Sequence, residues 1–262
     1  MQAPERLRYE VRFALGAKAC LGTLESAAQA ELAALLARKR EAAPKVLWNA
    51  TLGSEEWAAL YALGAERWAP PDPALADQAL DALAPFRDRV RVLAGDFAVP
   101  EGLAAEARSP EAWHAPWGGL ARVRYPGLAF VHLQRLTRAL EAATTLLAAR
   151  EAVRPLCPQG RPTPRGQRVN GVFLRYYGAA LQPAMADLER GLGPWLDATG
   201  DLWRRLKAGS PEAAHAPLAA FLDPDAPGLW QRYLAARDAH TRAWQRVLGQ
   251  CQLMPGQPRP DA

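Results

Sequence analysis

The sequence contains few of the residues and spacings that common catalytic and metal-binding motifs require. Its 262 residues include four histidines, four serines, four lysines and three cysteines. None of the lysines follows a glycine, which excludes the Gly-Lys-Ser/Thr end of a phosphate-binding P-loop. No His-Glu-x-x-His, Cys-x-x-Cys or Gly-x-Ser-x-Gly sequence occurs, so the usual zinc motifs and the hydrolase nucleophile elbow are missing. We therefore expect neither a metal nor a cofactor.

The sequence also lacks a long apolar run and a secretory signal. Its best candidate for a membrane segment, 136–149, is interrupted by Arg138 and Glu141 and is shorter than the ~18 residues that span a bilayer. The first residues contain neither an apolar core nor a cleavage site of small residues. These observations predict a cytoplasmic protein that does not interact with a membrane.

The cysteine pattern predicts reduced thiols. Cys20, Cys157 and Cys251 are odd in number and far apart, so they form neither a disulfide framework nor a metal-binding pair. Arginine outnumbers lysine by 28 to 4, and alanine is abundant. This composition is typical of a high-GC genome and favours a bacterial origin.

The hydrophobic pattern of the first 150 residues alternates between strand and helix periods. Residues 6–15 place apolar side chains at every second position, which predicts a strand with one exposed face. Shorter apolar runs predict further strands at 45–49, 89–93 and 122–133. Three- and four-residue spacing predicts helices between the strands, at 24–40, 74–86 and 136–150. This half is therefore expected to form a mixed α/β layer.

The second half of the chain shows only helical periodicity. Helices are predicted near 172–181, 194–207 and 228–251. The expected fold class is therefore α+β and helix-rich, with a mixed α/β N-terminal half and an all-helical C-terminal half. Along the chain this gives four regions: a mixed α/β layer at 1–150, a basic connection rich in proline and glycine at 151–170, a helical region at 171–252 and a loose tail at 253–262.

The net charge of +5 is concentrated in one segment. Residues 150–175 contain six arginines and one acidic residue, Glu151, whereas the sequences before and after are each balanced in charge. Four prolines and three glycines in the same segment predict an exposed connection over about 154–168. An arginine cluster on an exposed loop suits a polyanion, because guanidinium groups match phosphate geometry. A solvated linker without a ligand is the alternative.

The end of this connection is the strongest candidate site. The sequence 165–171 combines two guanidinium groups, two side-chain amides and two glycines at a predicted helix start, which suits a phosphate group. Tyr176 and Tyr177 follow, and they either stack on a base or pack in the core. The predicted anion- or nucleic-acid-binding residues are Arg154, Arg161, Arg165, Arg168, Asn170 and Arg175.

These features lead to three hypotheses about function. The first is a non-enzymatic accessory protein that binds nucleic acid or another polyanion through the arginine-rich connection. The second is a structural subunit of a bacterial multiprotein assembly, which docks a protein partner through the C-terminal helices, chiefly 228–251. The third is an enzyme whose site lies near Asp96, after the predicted strand 89–93, with His114 or His132 nearby.

The hydroxyl side chains offer no clear nucleophile. Ser54, Ser109 and Ser210 each precede acidic residues at a predicted helix start, so each is expected to be a helix cap. A role as catalytic nucleophile stays open for two other hydroxyl groups, those of Thr163 and Thr241.

Overall fold

A computed structural model describes residues 2–62, 72, 74–93, 99–153 and 155–255, and this part of the chain contains helices and no strand. Within these residues, no helix combines the length and the hydrophobicity of a membrane-spanning segment. The helices, in chain order, are α1 (Ala3–Cys20), α2 (Ser26–Ala50), α3 (Glu55–Ala59), α4 (Ala74–Leu93), α5 (Glu101–Arg108), α6 (Pro110–Leu120), α7 (Tyr125–Val153), α8 (Pro164–Val172), a π-helical segment (Phe173–Leu181), α9 (Gln182–Leu206), two short 3₁₀ helices (Lys207–Gly209 and Glu212–Ala214), α10 (His215–Leu222) and α11 (Leu229–Gly249).

The predicted α+β fold class is wrong, because the segments predicted as strands are helical over all or most of their length. Residues 6–15 lie within α1, where Leu7 and Val11 are buried and Tyr9 is exposed. The apolar alternation that suggested a strand also contains this pair of positions four residues apart, which is the spacing of one helix face. The other three predicted strands lie in α2, α4 and α7.

Arg89 shows why the pattern was misleading in α4. The short apolar run 89–93 predicted a strand, but it lies in α4, and its Arg89 is only 3% exposed. Its guanidinium carbon lies 4.4 Å from the ring centroid of Trp113 and 4.8 Å from that of Trp117. Its Nη2 also donates to Glu106 at 2.7 Å. These cation–π contacts and this ion pair offset part of the cost of burying the charge. Burial still lowers the pKa of Arg89, and its Nε and Nη1 atoms have no hydrogen-bond partner among the described residues. The local sequence cannot reveal these contacts.

Two of the three predicted serine caps are confirmed. The Ser54 hydroxyl accepts a hydrogen bond from the Trp57 amide at 3.1 Å, and the Ser109 hydroxyl accepts one from the Ala112 amide at 3.2 Å. These bonds satisfy amides that have no partner within the helix. The prediction for Ser210 is wrong, because its hydroxyl donates to the Lys207 carbonyl instead.

Contacts group the chain into two compact units, each made of two segments. Unit 1 comprises Met1–Leu128 and Gly191–Ala226, and unit 2 comprises Ala129–Arg190 and Pro227–Ala262. The four regions predicted along the chain stay a prediction, since this grouping follows contacts rather than sequence order.

The core of unit 1 contains tryptophans whose indole groups tie helices together. The Trp113 indole donates to the Pro4 carbonyl, and the Trp117 indole donates to the Ala50 carbonyl, both at 2.8 Å. Phe86 packs edge-on against Trp117 at a centroid distance of 5.1 Å. Each buried aromatic ring therefore contributes apolar area while its polar atom is satisfied.

Unit 2 contains a disulfide bond between Cys157 and Cys251, which contradicts the expectation that all three cysteines are reduced. Their Cα atoms lie 5.1 Å apart although 94 residues separate them in sequence. The fold thus brings together two cysteines whose distance in the sequence gave no indication of a disulfide. Cys20 is a free, exposed thiol. The disulfide lies in a buried apolar cluster completed by Leu156, Val247, Leu147, Val169 and Leu253.

Candidate functional site

The segment predicted as an exposed connection is partly buried, which corrects that expectation. Leu156 and Cys157 belong to the core of unit 2, and α8 already begins at Pro164. The Thr163 hydroxyl accepts from the Gly166 amide and donates to the Leu156 carbonyl, both at 3.0 Å. Thr163 is therefore the N-cap of α8, and this explains the residue without a catalytic role.

Helix α8 lies directly against the disulfide because of one glycine. A Cβ atom at Gly166 would lie 2.8 Å from the Sγ atoms of both Cys157 and Cys251. Such a distance is shorter than real Cβ contacts, so only glycine fits between the helix and the cystine. The disulfide and Gly166 together fix the helix that carries Arg165 and Arg168.

The π-helical segment presents one of the two predicted tyrosines to solvent and buries the other. Tyr177 packs on Trp244 with a centroid distance of 6.1 Å, and its hydroxyl lies 2.8 Å from that of Thr241. The Thr241 hydroxyl donates to the Arg237 carbonyl at 3.0 Å, so Tyr177 is the donor between the two hydroxyls. Tyr177 is a core residue, whereas Tyr176 is 59% exposed.

Four of the predicted arginines lie on the surface of unit 2. Arg161 is exposed in the loop before α8, and Arg165, Arg168 and Arg175 are exposed along α8 and the π-helical segment. Positions separated by three and four residues fall on one side of an α-helix, and this spacing relates Arg165, Arg168 and Val172 of α8. Arg175 and Tyr176 follow in the π-helical segment and are exposed as well. We use the name arginine stripe for the exposed residues Arg165, Arg168, Val172, Arg175 and Tyr176. The remaining predicted arginine, Arg154, lies outside the described residues.

The four surface arginines have no carboxylate to pair with in the described part of unit 2. No ion pair involving them occurs there, and no acidic residue exists between Glu151 and Asp187 in the sequence. The described carboxylates of unit 2 already bind other arginines, in the pairs Glu141–Arg232, Glu151–Arg246, Asp187–Arg190, Glu189–Arg237 and Asp238–Arg237.

The charge is divided unequally between the two units. Unit 2 contains 14 arginines, no lysine and six acidic residues, whereas unit 1 contains 18 basic and 21 acidic residues. The positive excess of the protein therefore belongs to unit 2 as a whole. Counting charges along consecutive stretches of sequence does not reveal this division. Residues 191–226 belong to unit 1 and contain several of its acidic side chains.

Asn170, the sixth predicted site residue, is not part of the exposed surface that the arginines form. Its side chain is half-buried, and its carbonyl oxygen has no hydrogen-bond partner among the described residues. The buried oxygen is an acceptor, and the NH2 group of the Asn170 side chain is the part that can donate to an anion. The four arginines are exposed and Asn170 is half-buried, so a role for Asn170 in binding stays a prediction.

His240 occupies a buried polar network behind the π-helical segment. The Trp244 indole donates to His240 Nε2 at 2.9 Å, and His240 Nδ1 lies 3.1 Å from the Thr144 hydroxyl. Since that hydroxyl donates to the Leu140 carbonyl, the proton of the neutral ring is on Nδ1. Burial lowers the pKa of His240, so the ring is held neutral. Sequence analysis did not single out this histidine.

The described residues do not test the enzyme site that was proposed near Asp96. Asp96 lies outside the described residues. His114 is half-buried, and its ring contacts the Pro110 carbonyl and Glu5. His132 is buried, and burial together with the nearby Arg135 lowers its pKa. No cluster of three metal-ligating side chains occurs in the part of the chain that the structure covers.

A family model described as "Protein of unknown function (DUF3080)" matches residues 1–255. The chain belongs to this family. No curated protein and no solved structure matches the chain. The DUF3080 family therefore supplies no activity, and any function must be argued from the surface of this member.

Proposed function

We propose that the protein is a non-enzymatic accessory factor that binds a polyanion through Arg161 and the arginine stripe. The observation that carries this proposal is that these arginines have no carboxylate partner within the described residues. The described carboxylates of unit 2 are all paired with other arginines. Unpaired guanidinium groups at a surface bind phosphate and similar oxyanions through two parallel hydrogen bonds. A ligand with several such groups can engage several arginines at once.

The dipole of α8 adds to this attraction. A helix N-terminus carries a partial positive charge, which normally favours acidic residues in the first turn. The first two turns of α8 instead contain Arg165 and Arg168, with no acidic residue. This arrangement is electrostatically unfavourable in the free protein, and a bound anion relieves it because it interacts favourably with both the dipole and the arginines.

Chromatography on immobilised heparin tests the proposal. We expect the variant R165Q/R168Q/R175Q to elute at clearly lower salt than the wild-type protein, because it loses the cations of the stripe. The matched control is R138Q/R190Q/R242Q, which removes three exposed arginines of unit 2 outside the stripe and changes the net charge equally. The control should elute close to the wild type. Equal shifts in both variants would mean that only net charge matters, and would contradict the proposal.

The two other hypotheses have less support. The apolar side of α11, which was expected to dock a partner, is occupied within unit 2, where Tyr233, Trp244 and Leu248 are buried. The enzyme hypothesis depends on Asp96, for which no contact is described. Thr163 and Thr241 both donate to backbone carbonyls, so neither has a free hydroxyl proton to lose to a base.

The cytoplasmic location expected from the sequence stays a prediction, and the disulfide weighs against it. Disulfide bonds persist in oxidising compartments and are rare in the reducing cytoplasm. Alkylation of cell extracts without prior reduction would measure the thiol state directly. Modification of Cys20 alone would indicate an oxidising compartment, and modification of all three cysteines would support the cytoplasm.

A further inference from the structure

We propose that the polyanion bound by the arginine stripe is the surface of an anionic lipid bilayer. This inference rests on the proposed function and specifies the partner of the same surface. It replaces the expectation from the sequence that the protein does not interact with a membrane, which was drawn from the lack of a membrane-spanning segment. It depends on a second property of the stripe, namely the large apolar side chains that lie exposed between its arginines.

Three of the eight large apolar side chains that are exposed among the described residues lie next to these cations. Val172 is 49% exposed, Leu174 is 52% exposed and Tyr176 is 59% exposed. In the stripe, Val172 lies between Arg168 and Arg175 in sequence, and Tyr176 directly follows Arg175. The guanidinium carbon of Arg175 lies 5.6 Å from the ring centroid of Tyr176, so the cation and the aromatic ring face solvent together.

This combination of groups suits the boundary between lipid headgroups and acyl chains. Arginines bind the lipid phosphates, tyrosine rings prefer the headgroup level, and aliphatic side chains enter the acyl boundary. From Arg165 to Tyr176 the stripe is about 15 Å long. It is long enough to contact several headgroups at once, and it has no acidic residue that would repel them.

A nucleic acid fits the same surface less well. Proteins that bind single strands stack successive bases on several aromatic rings, whereas the stripe exposes one ring, that of Tyr176. The exposed aliphatic groups of Val172 and Leu174 make no favourable contact with a charged phosphodiester backbone. In a bilayer interface they lose contact with water, and this contributes to binding.

Co-sedimentation of the full chain with lipid vesicles tests the inference. The probes are vesicles of pure phosphatidylcholine and vesicles that contain about 30% phosphatidylglycerol. We expect binding to the anionic vesicles only. The variant R165Q/R168Q/R175Q should lower this partitioning about a hundredfold, since each basic residue near an anionic surface contributes about fivefold. The control R138Q/R190Q/R242Q should lower it far less.

A second variant separates a bilayer from other polyanions. V172S/Y176S keeps every arginine and removes two apolar side chains, so we expect it to lower partitioning at least about fivefold. The same variant should change elution from heparin much less than the arginine variant does. Binding to heparin or to an oligonucleotide without binding to anionic vesicles would overturn this inference and leave the proposed function standing. Binding to none of these probes would overturn both.

Discussion

His240 shows how a single buried residue links the structure to pH. Its Nε2 accepts from the Trp244 indole, and its Nδ1–H donates to the Thr144 hydroxyl. Protonation would place a second N–H against the Trp244 indole N–H and would charge a buried ring. Both effects disfavour the protonated form in the folded protein.

This arrangement predicts that the protein loses stability in mild acid. Because burial lowers the pKa of His240 in the folded state, the unfolded chain binds the proton more tightly. Stability is therefore complete above the ordinary histidine pKa near 6.5 and decreases as the pH falls below it. Urea unfolding at about pH 7.5 and pH 5 measures this loss. The variant H240Q should be less stable at neutral pH and less sensitive to acid, and an unchanged pH dependence would refute the role of His240.

At the residue scale, the sequence was informative where an interaction is local. The Ser54 and Ser109 caps involve amides three residues away, so a short motif was sufficient to predict them. The tautomer of His240 depends on Thr144, 96 residues away, and the burial of Arg89 involves Trp113, 24 residues away. Such contacts exist only once the fold has formed.

At the scale of elements, α8 is positioned by its contact with the disulfide. Gly166 leaves no room for a methyl group between the helix and the two sulfur atoms. Gly171, in the same helix, has no atom within 4 Å of an added Cβ. The two glycines therefore form a matched pair for measuring how much this contact contributes.

We expect G166A to lower the free energy of unfolding by about 1–3 kcal/mol, because overpacking forces α8 away from the cystine. G171A should be neutral or should stabilise by about 0.5–1 kcal/mol, since alanine is the better helix former. Urea unfolding of both variants gives the comparison. If G166A were as stable as G171A, the helix would not be seated on the disulfide as described.

Helix boundaries and strand assignments differed in how well the sequence predicted them. Predicted helices at 74–86 and 136–150 lie within longer helices, α4 and α7. The strand predictions failed because residues such as Leu7 and Val11 fit both the two-residue period of a strand and the four-residue spacing of a helix face. The sequence pattern alone does not distinguish these two structures, whereas the burial of both side chains in the fold fits the helix. The two halves of the chain therefore do not differ in class, although their sequence patterns do.

At the scale of the whole molecule, the main finding is the separation of charge between the two units. The sequence placed the positive excess in residues 150–175, and the surface arginines of that segment lie on unit 2. Arg161, Arg165, Arg168 and Arg175 are exposed, and their role as a binding site stays a prediction. Their lack of carboxylate partners within the described residues could not be predicted, because it depends on which acids the fold brings to unit 2.

The most direct test of the central claim is the salt dependence of binding to a duplex oligonucleotide, a polyanion of known charge density. The logarithm of the binding constant falls with the logarithm of salt concentration by about 0.9 for each phosphate contact. Arg161 and the three arginines of the stripe predict a slope of about −3.6 for the wild-type protein. They also predict a slope of about −0.9 for R165Q/R168Q/R175Q. The same slope in both proteins would contradict the claim that these arginines form the anion-binding surface.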